Sequence, residues 1–201
     1  MVKITQSTIC QGFPTRIGSP SRANNVLNEL IIKPLNEDDV GAIQVFECDE
    51  KELTDWLKTD ALRDQALMIS RTFLVKHPKN GALGYFSLLN DSIRLDPELK
   101  GKWKRREIEY SSLPALKIGR LATHKNHIKK GIGKAMLANI LKETLKNITP
   151  RSGCRYITVD SLPNAIGWYK KLDFEELKTK TKRKLSVPMY FDLERIAQVA
   201  S

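Results

Sequence analysis

The chain has 201 residues, and its 34 Lys and Arg against 23 Asp and Glu give a net charge of +11 at pH 7. This length fits one domain, or one domain with an appended arm, and a hydrophobic share of 41% is enough to build a core. The charge favours a polyanionic partner, either nucleic acid or a phosphate-bearing ligand. The alternative is a basic surface that is merely well solvated.

Several classes of protein are excluded at this stage. No stretch approaches the roughly 18 consecutive apolar residues of a membrane span, and residues 1–25 lack the apolar centre of a secretory signal. Cys10, Cys48 and Cys154 are odd in number and widely spaced, which fits neither a disulfide framework nor a zinc site. We therefore expect a cytoplasmic protein that binds neither membrane nor metal.

The first half of the chain predicts an arm followed by strands and helices. Residues 1–27 are polar and rich in Gly and Pro, which indicates a flexible or loosely packed N-terminal extension before a domain over 28–201. A short strand over Leu30–Ile32 ends at Pro34. Asp49 and Glu52 resemble a capping box at the start of a helix.

A hairpin and a basic connection come next. Two strand-like runs, Thr72–Val75 and Leu83–Leu89, flank the turn residues Pro78–Gly81. Residues 95–113 are polar and basic, so we expect a loop with a helical turn. Leu116–Thr123 then alternates as a strand does.

The second half alternates helices with strands. A helix follows Gly131 with a broad apolar face, and Tyr156–Val159 is a short buried strand. Asn164–Leu172 predicts a short helix, and two strands follow, the second over Leu185–Leu193. This order indicates an α/β or α+β layered domain.

The segment between the strand ending at Thr123 and the next helix is the most informative. Gly131 and Gly133 permit a sharp turn that opens a helix, whose first amides are unsatisfied and suit a pyrophosphate. Lys129, Lys130 and Lys134 would add electrostatic attraction. The Rossmann and Walker spacings are both absent, which argues against an ordinary dinucleotide or nucleotide triphosphate site.

Two motifs together resemble the GNAT superfamily of acetyl-coenzyme A-dependent N-acetyltransferases. The family's Gln/Arg-x-x-Gly-x-Gly/Ala motif matches residues 128–133 except at Ile128, and its later motif matches Ala165 to Phe174, with Asp173 in place of glycine. The resemblance implies a mixed, strongly twisted sheet flanked by helices. Two of its parallel strands would splay apart to hold acetyl-CoA.

A closer resemblance extends over most of the chain from residue 45. Phe46-x-Cys48, Leu53-x-x-Trp56-Leu57, Arg71-Thr72-Phe73 and Gly119-Arg120-Leu121-Ala122 are similar to acetyltransferase toxins of bacterial toxin–antitoxin pairs. Those toxins acetylate the amino group of aminoacyl-tRNA. The resemblance therefore implies aminoacyl-tRNA as substrate, a small antitoxin as partner and a homodimer.

The resemblance also assigns roles to single residues. Tyr169 matches the family's general acid, and Asn164 lies near its cofactor-contacting asparagine, whose own position is Leu162 here. Arg120 either faces the substrate or bridges to a carboxylate, and His124 and His127 are expected to be loop histidines that bind no metal. The residues expected to contact acetyl-CoA are Leu121, Ala122, Thr123, Ile128, Lys129, Lys130, Gly131, Ile132, Gly133, Lys134 and Asn164.

Two basic runs outside this segment are candidates for phosphate contacts with tRNA, although a charge run is more often a solvated face. They comprise Lys100, Lys102, Lys104, Arg105 and Arg106, with Trp103 among them, and Lys178, Lys180, Lys182, Arg183 and Lys184. Two further functions stay open. One is acetylation of a small-molecule amine or a protein amino group, and the other is a non-catalytic module that binds nucleic acid or cofactor.

Overall fold

The computed structural model describes residues 2–4, 27, 29–178 and 185–197. The strands are β1 (Val2–Ile4), β2 (Leu30–Pro34), β3 (Arg71–His77), β4 (Gly81–Arg94), β5 (Ser112–Thr123), β6 (Tyr156–Ser161), β7 (Glu175–Glu176) and β8 (Val187–Asp192). The helices are α1 (Val40–Gln44), α2 (Lys51–Thr59), α3 (Ala61–Ala66), α4 (Pro97–Lys104), α5 (Ile132–Glu143), α6 (Thr149–Ser152), α7 (Ile166–Lys170) and α8 (Glu194–Ala197).

The chain forms two compact units. The first consists mainly of residues 1–89 and 119–142, and the second of residues 90–118 and 143–199. Both β4 and β5 contribute residues to each unit. The residues that follow Ile118 on β5 therefore belong with the first unit, together with the glycine segment.

In the first unit the strand order is β1-β2-β3-β4, followed by the end of β5. β1, β2, β3 and β4 pair antiparallel, and the β3–β4 register runs from Arg71 opposite Leu88 to His77 opposite Gly81. Gly81 has a φ of 70°, which a tight turn between adjacent strands requires. The expected strand before Pro34 and the expected hairpin are confirmed.

Helices α1, α2 and α3 belong to the first unit, and their apolar side chains share a core with its strands. Ile43, Phe46 and Leu57 pack in one buried cluster with Leu74 and Tyr85. The expected capping box at Asp49 is wrong. Helix α2 begins at Lys51 after Glu50, whose side chain makes no capping hydrogen bond.

In the second unit the order is the end of β4, then β5-β6-β8-β7. β5 pairs parallel to β6, from Ala115 opposite Tyr156 to Ile118 opposite Val159, whereas β8 pairs antiparallel with both β6 and β7. This combination is the mixed sheet that the resemblance implies. β5 runs on for five residues beyond its last position in that parallel register.

The connection expected as a loop over residues 95–113 contains the eight-residue helix α4. Pro97 occupies its first turn, and the Asp96 carboxylate accepts a hydrogen bond from the Leu99 amide at 2.9 Å. Proline and an aspartate cap at these positions favour a helix start, a signal that the many charges obscured. Leu99 and Trp103 pack in a buried cluster with Tyr156 of β6.

Two parts of the expected N-terminal extension have a place in the first unit. Residues 2–4 form β1, which pairs with β2, and Leu27 is buried. Residues 5–26 lie outside the described residues, so the domain boundary at residue 28 stays a prediction. No helix in the described part of the chain is long and apolar enough to cross a membrane.

Candidate active site

The loop after β5 contains two residues in the left-handed region. The His124 amide donates to the Leu83 carbonyl at 2.8 Å, and a 3₁₀ turn spans Lys125–His127. Lys129 then has a φ of 61° and Gly131 a φ of 85°. Alternation of left-handed with ordinary backbone turns successive amides toward a common concavity, which is the geometry of an anion-binding nest.

Helix α5 begins directly after this loop. Its intrahelical hydrogen bonding starts at Ala135, whose amide donates to the Gly131 carbonyl at 3.0 Å. The amides of Ile132, Gly133 and Lys134 precede that bond and have no acceptor within the helix. A helix of twelve residues places the positive end of its dipole here, so the turn can bind a phosphate group through backbone alone.

The side chains of the loop make contacts that the sequence did not indicate. The Lys130 ammonium donates to the Asn126 carbonyl at 3.0 Å and lies 3.4 Å from Nδ1 of His127, so it braces the loop itself. Burial, with the nearby charges of Lys130 and His124, lowers the pKa of His127. Ile128, where the family prefers a polar residue, is 40% exposed.

A glycine on β4 lets the end of β5 approach closely. A Cβ added to Gly84 would lie 2.8 Å from the Ala122 carbonyl oxygen and 3.2 Å from Sδ of Met136 on α5. A side chain at Gly84 would therefore force the backbone of β5 away from β4, whereas the Met136 side chain would need only a small shift. Leu121 and Thr123 are half-buried and Ala122 is buried.

Tyr169 lies on α7 in the second unit and is 5% exposed. Its ring meets Trp168 at 4.8 Å and Phe174 at 5.1 Å between centroids, both edge to face. Burial raises its pKa well above the ordinary value for tyrosine. The hydroxyl is therefore protonated throughout the neutral range.

Asp173, which replaces the family's glycine, has a φ of 63°. It follows the end of α7, where a left-handed residue closes a helix and glycine is most common. Aspartate tolerates this region better than most side chains, so the departure from the family pattern preserves the local backbone.

The remaining predicted residues of the site occupy exposed or loop positions. Asn164 is exposed on a 3₁₀ turn over Pro163–Ala165 that leads into α7. Lys129 and Lys134 are exposed near the glycine turn. Within the described residues, no three His, Cys, Asp or Glu side chains are grouped as metal binding would require.

Comparison with known proteins identifies the domain. The acetyltransferase (GNAT) domain family matches residues 79–176, a range that includes the glycine turn and Tyr169. The chain carries a GNAT acetyltransferase domain. The matched range begins in the turn of the β3–β4 hairpin and ends in β7.

Solved structures share the fold of this chain. AtaT complexed with acetyl-methionyl-tRNAfMet is 23% identical, with a TM-score of 0.73 over 86% of this chain and 100% of that one. A mutant of KacT is 22% identical, with a TM-score of 0.72, and the match covers 85% of this chain and 98% of that one. A structure described as a bacterial toxin is 16% identical, with a TM-score of 0.74 over 85% and 94%.

The first basic run divides into paired and exposed charges. The Lys102 ammonium lies 2.7 Å from the buried Asp192 carboxylate, and Arg106 lies 2.9 Å from Glu194. Trp103, whose place among basic residues suggested a nucleic-acid contact, is buried and donates from Nε1 to the Tyr156 hydroxyl at 2.8 Å. Its position is therefore that of a core residue.

Lys100, Lys104 and Arg105 are exposed, and no carboxylate among the described residues lies within ion-pairing distance of them. In the second run, Lys178 pairs with Glu98 at 2.9 Å. Lys180, Lys182, Arg183 and Lys184 lie outside the described residues. A role for either run in binding nucleic acid stays a prediction.

Arg120 bridges to no carboxylate among the described residues, and the other expectation, that it faces the substrate, stays a prediction. Its guanidinium carbon lies 5.2 Å from the centre of the Trp56 ring, and its Nη1 donates to the Gly119 carbonyl at 2.9 Å. From the sequence, no role in the site was predicted for Trp56. No spacing rule could join Trp56 and Arg120, which are 64 positions apart.

Proposed function

We propose that the protein is an acetyl-CoA-dependent N-acetyltransferase that modifies the amino group of aminoacyl-tRNA. The observation that carries the proposal is the turn over residues 128–131, where two left-handed residues lead into the first amides of α5, which have no acceptor within the helix. One short 3₁₀ turn, Lys125–His127, separates it from the strand residues Leu121–Thr123. The match of residues 79–176 to the acetyltransferase domain family supports the same function.

The residues of the first unit suit coenzyme A. The amides of residues 132–134 offer hydrogen-bond donors and a positive helix end to a pyrophosphate, with Lys129 and Lys134 exposed beside them. Leu121 to Thr123 offer strand backbone to an amide-bearing arm, as in strand addition. When bound, acetyl-CoA supplies an acetyl group activated as a thioester.

Tyr169 is the proposed proton donor. Its Oη holds a proton at neutral pH because burial raises the pKa of the hydroxyl. A thiol has an ordinary pKa of about 8.5, so a departing thiolate is a suitable recipient of that proton. In this role the residue acts as an acid throughout the neutral range.

The acceptor amine needs little help from the protein. An α-amino group has a pKa of about 7.7 to 8.0, so an appreciable fraction is neutral at physiological pH, whereas a lysine at about 10.4 is almost wholly charged. The absence of an evident base in the sequence therefore favours an α-amine such as that of an aminoacyl group. The net charge of +11 suits tRNA.

The structural neighbours support this acceptor and suggest partners. AtaT is seen with acetyl-methionyl-tRNAfMet, with acetyl-CoA, and with the C-terminus of the antitoxin AtaR. We extend to this chain an aminoacyl-tRNA substrate and a small antitoxin, and we add the homodimer that the sequence resemblance implies. Each extension is part of the proposal.

The test is incubation of the purified protein with acetyl-CoA and a mixture of charged tRNAs, followed by mass analysis of the released amino acids. The proposal expects acetylated amino acids. A parallel assay on free amines and on peptides measures the alternative acceptors. Acetylation of free amines or peptides, with none on charged tRNA, would overturn the assignment of aminoacyl-tRNA as substrate. No acetylation in either assay would overturn the assignment of acetyltransferase activity.

A further inference from the structure

A cavity in the first unit lies beside the strand that leads to the glycine turn. It has a volume of about 480 Å³ and is lined by α2, by the residues just after it and by Arg120 of β5. Arg120 immediately precedes Leu121. The lining residues are Lys51, Glu52, Asp55, Trp56, Thr59, Asp60 and Arg120.

One wall of this cavity is built from flat groups. The Arg120 guanidinium lies over the Trp56 indole, and Trp56 in turn stacks on Tyr85 with 6.0 Å between ring centres and 19° between planes. Two bonds hold this stack: Trp56 Nε1 donates to Asp64 at 3.3 Å, and the Tyr85 hydroxyl donates to the Leu53 carbonyl at 2.6 Å. The planar wall is therefore fixed before any ligand arrives.

The guanidinium of Arg120 is only partly hydrogen-bonded. Its Nε is buried and has no hydrogen-bond partner among the described residues. An unsatisfied buried donor is unfavourable for folding, so packing alone does not explain an arginine in this strand. Guanidinium and indole planes are the groups on which proteins stack nucleobases.

The same lining also carries carboxylates, in a protein whose net charge is strongly positive. Asp55 pairs with Lys51, and Asp60 pairs with Arg63 at 2.5 Å. Glu52 is exposed, and no cation among the described residues lies within ion-pairing distance of it. A free carboxylate accepts hydrogen bonds from an exocyclic amine or a ribose hydroxyl and repels phosphate. The cavity thus suits a nucleoside end rather than a phosphate chain.

We infer that this cavity binds the 3′-terminal adenosine of the acceptor tRNA, with the base stacked on the Arg120 guanidinium, whose other face covers Trp56, and with Glu52 accepting from the adenine amine or the ribose. The inference rests on the proposed function, since it names the part of the acceptor that is recognised. It places the aminoacyl end of the tRNA beside β5.

The binding test uses adenosine itself as the probe, with coenzyme A at saturation so that the cofactor's own adenine site is filled. The chain has three tryptophans, and a Trp56→Phe variant assigns the Trp56 indole N–H signal in a nitrogen-15 correlation spectrum. Adenosine should shift that signal saturably and leave the Trp103 signal unchanged, and uridine, which lacks the exocyclic amine, should shift it less. No saturable shift at Trp56 would overturn the inference.

The kinetic test compares two acceptors that carry the same amino acid: an aminoacyl-adenosine and the amino acid methyl ester. Arg120→Lys keeps the positive charge and loses the flat guanidinium. Glu52→Gln removes the negative charge of the exposed carboxylate without disturbing the core. Each variant should raise KM for the aminoacyl-adenosine, roughly tenfold for Arg120→Lys. Neither should change KM for the methyl ester, and Lys58→Ala on the same helix should change neither constant.

The two assays separate the cavity from the enzyme. If both KM values rise together in Arg120→Lys and Glu52→Gln, the cavity binds the amino acid itself and the inference is wrong. If adenosine shifts the Trp56 signal in an Arg120-dependent way but no acceptor is acetylated, the site stands and the proposed function falls. If both acceptors are acetylated with constants that neither variant alters, the function stands and the site falls.

Discussion

The amide of Phe174 donates to the carbonyl of Tyr169 at 3.1 Å, and the rings of the same two residues meet with 5.1 Å between centroids. The Asp173 amide donates to the Lys170 carbonyl at 3.2 Å. These two bonds around one left-handed residue are the Schellman closure of a helix, and the ring contact is its usual apolar companion. The end of α7 therefore fixes the position of the proposed proton donor.

Replacement of the hydroxyl at Tyr169 tests its proposed role. Tyr169→Phe keeps the ring packing and removes the proton, so we expect kcat to fall by about 10²- to 10⁴-fold with the affinity for acetyl-CoA unchanged. Steady-state kinetics and calorimetric titration of acetyl-CoA measure the two quantities. Tyr110→Phe, at a tyrosine that is 68% exposed, is the control and should retain wild-type turnover. Wild-type turnover in Tyr169→Phe would remove Tyr169 from the mechanism.

Asp173 tests the helix closure separately from catalysis. Asp173→Gly relieves the strain of a left-handed residue, so we expect the free energy of unfolding to rise by about 0.5 kcal/mol. Asp173→Ala keeps the strain and loses the local polar group, so it should lower the stability instead. Urea denaturation measures both variants. A destabilised Asp173→Gly would mean that the carboxylate, rather than the backbone geometry, is what this position requires.

Gly84 tests the close approach of β4 and β5. Gly84→Ala places a Cβ 2.8 Å from the Ala122 carbonyl, so we expect about 1 to 3 kcal/mol of destabilisation and weaker binding of acetyl-CoA. Gly41→Ala is the matched control, because a Cβ there meets nothing within 4 Å. Chemical denaturation measures the free energy of unfolding. It should be clearly lower for Gly84→Ala than for wild type and should not be lowered for Gly41→Ala. Equal stabilities would show that β5 can shift without cost.

Glu194 predicts the acid side of the stability profile. Hydrogen bonds from Arg155 and Arg106 lower its pKa from 4.5 to about 2. Because the folded-state pKa is depressed, the stabilisation is complete above about pH 4.5 and is lost as the pH falls toward 2. Glu194→Gln should therefore be less stable than wild type by about 1 kcal/mol at neutral pH, with the gap closing below pH 4.

Thermal unfolding across pH 2 to 7 measures that gap. Glu109→Gln, at an exposed position on the same unit, should follow the wild-type curve throughout. A gap for Glu194→Gln that does not change with pH would mean that the loss comes from packing rather than from the ion pairs.

The basic run on α4 predicts unequal contributions to tRNA binding. Lys104 and Arg105 are exposed, whereas the charge of Lys178 is compensated by Glu98. Lys104→Gln and Arg105→Gln should each weaken tRNA binding and reduce the slope of log K against log salt concentration by about 0.7 to 0.9. Lys178→Gln should change the slope less. The slopes are measured by filter binding at several salt concentrations. Equal slopes for wild type and the α4 variants would show that this part of α4 does not contact tRNA.

Features that depend on residues close together in the chain could be predicted from the sequence. The prediction of the β3–β4 hairpin depended on Pro78–Gly81 between two strand-like runs. The prediction of the turn before α5 depended on glycines next to a helix. In each case a local backbone requirement restricts the residue type. The motif around Tyr169 was readable for the same reason, since the helix, its closure and the following aromatic ring lie within ten positions.

The chain alone therefore determined the mixed α/β class, the glycine turn and the candidate acid. The tertiary structure decided which cations are free: Lys102 meets Asp192 and Arg106 meets Glu194, at separations of 90 and 88 residues. It also buried Trp103 and placed Arg120 over Trp56 beside a cavity. Local periodicity carries no record of such contacts, because ion pairing and stacking depend on where distant segments meet after the core has formed.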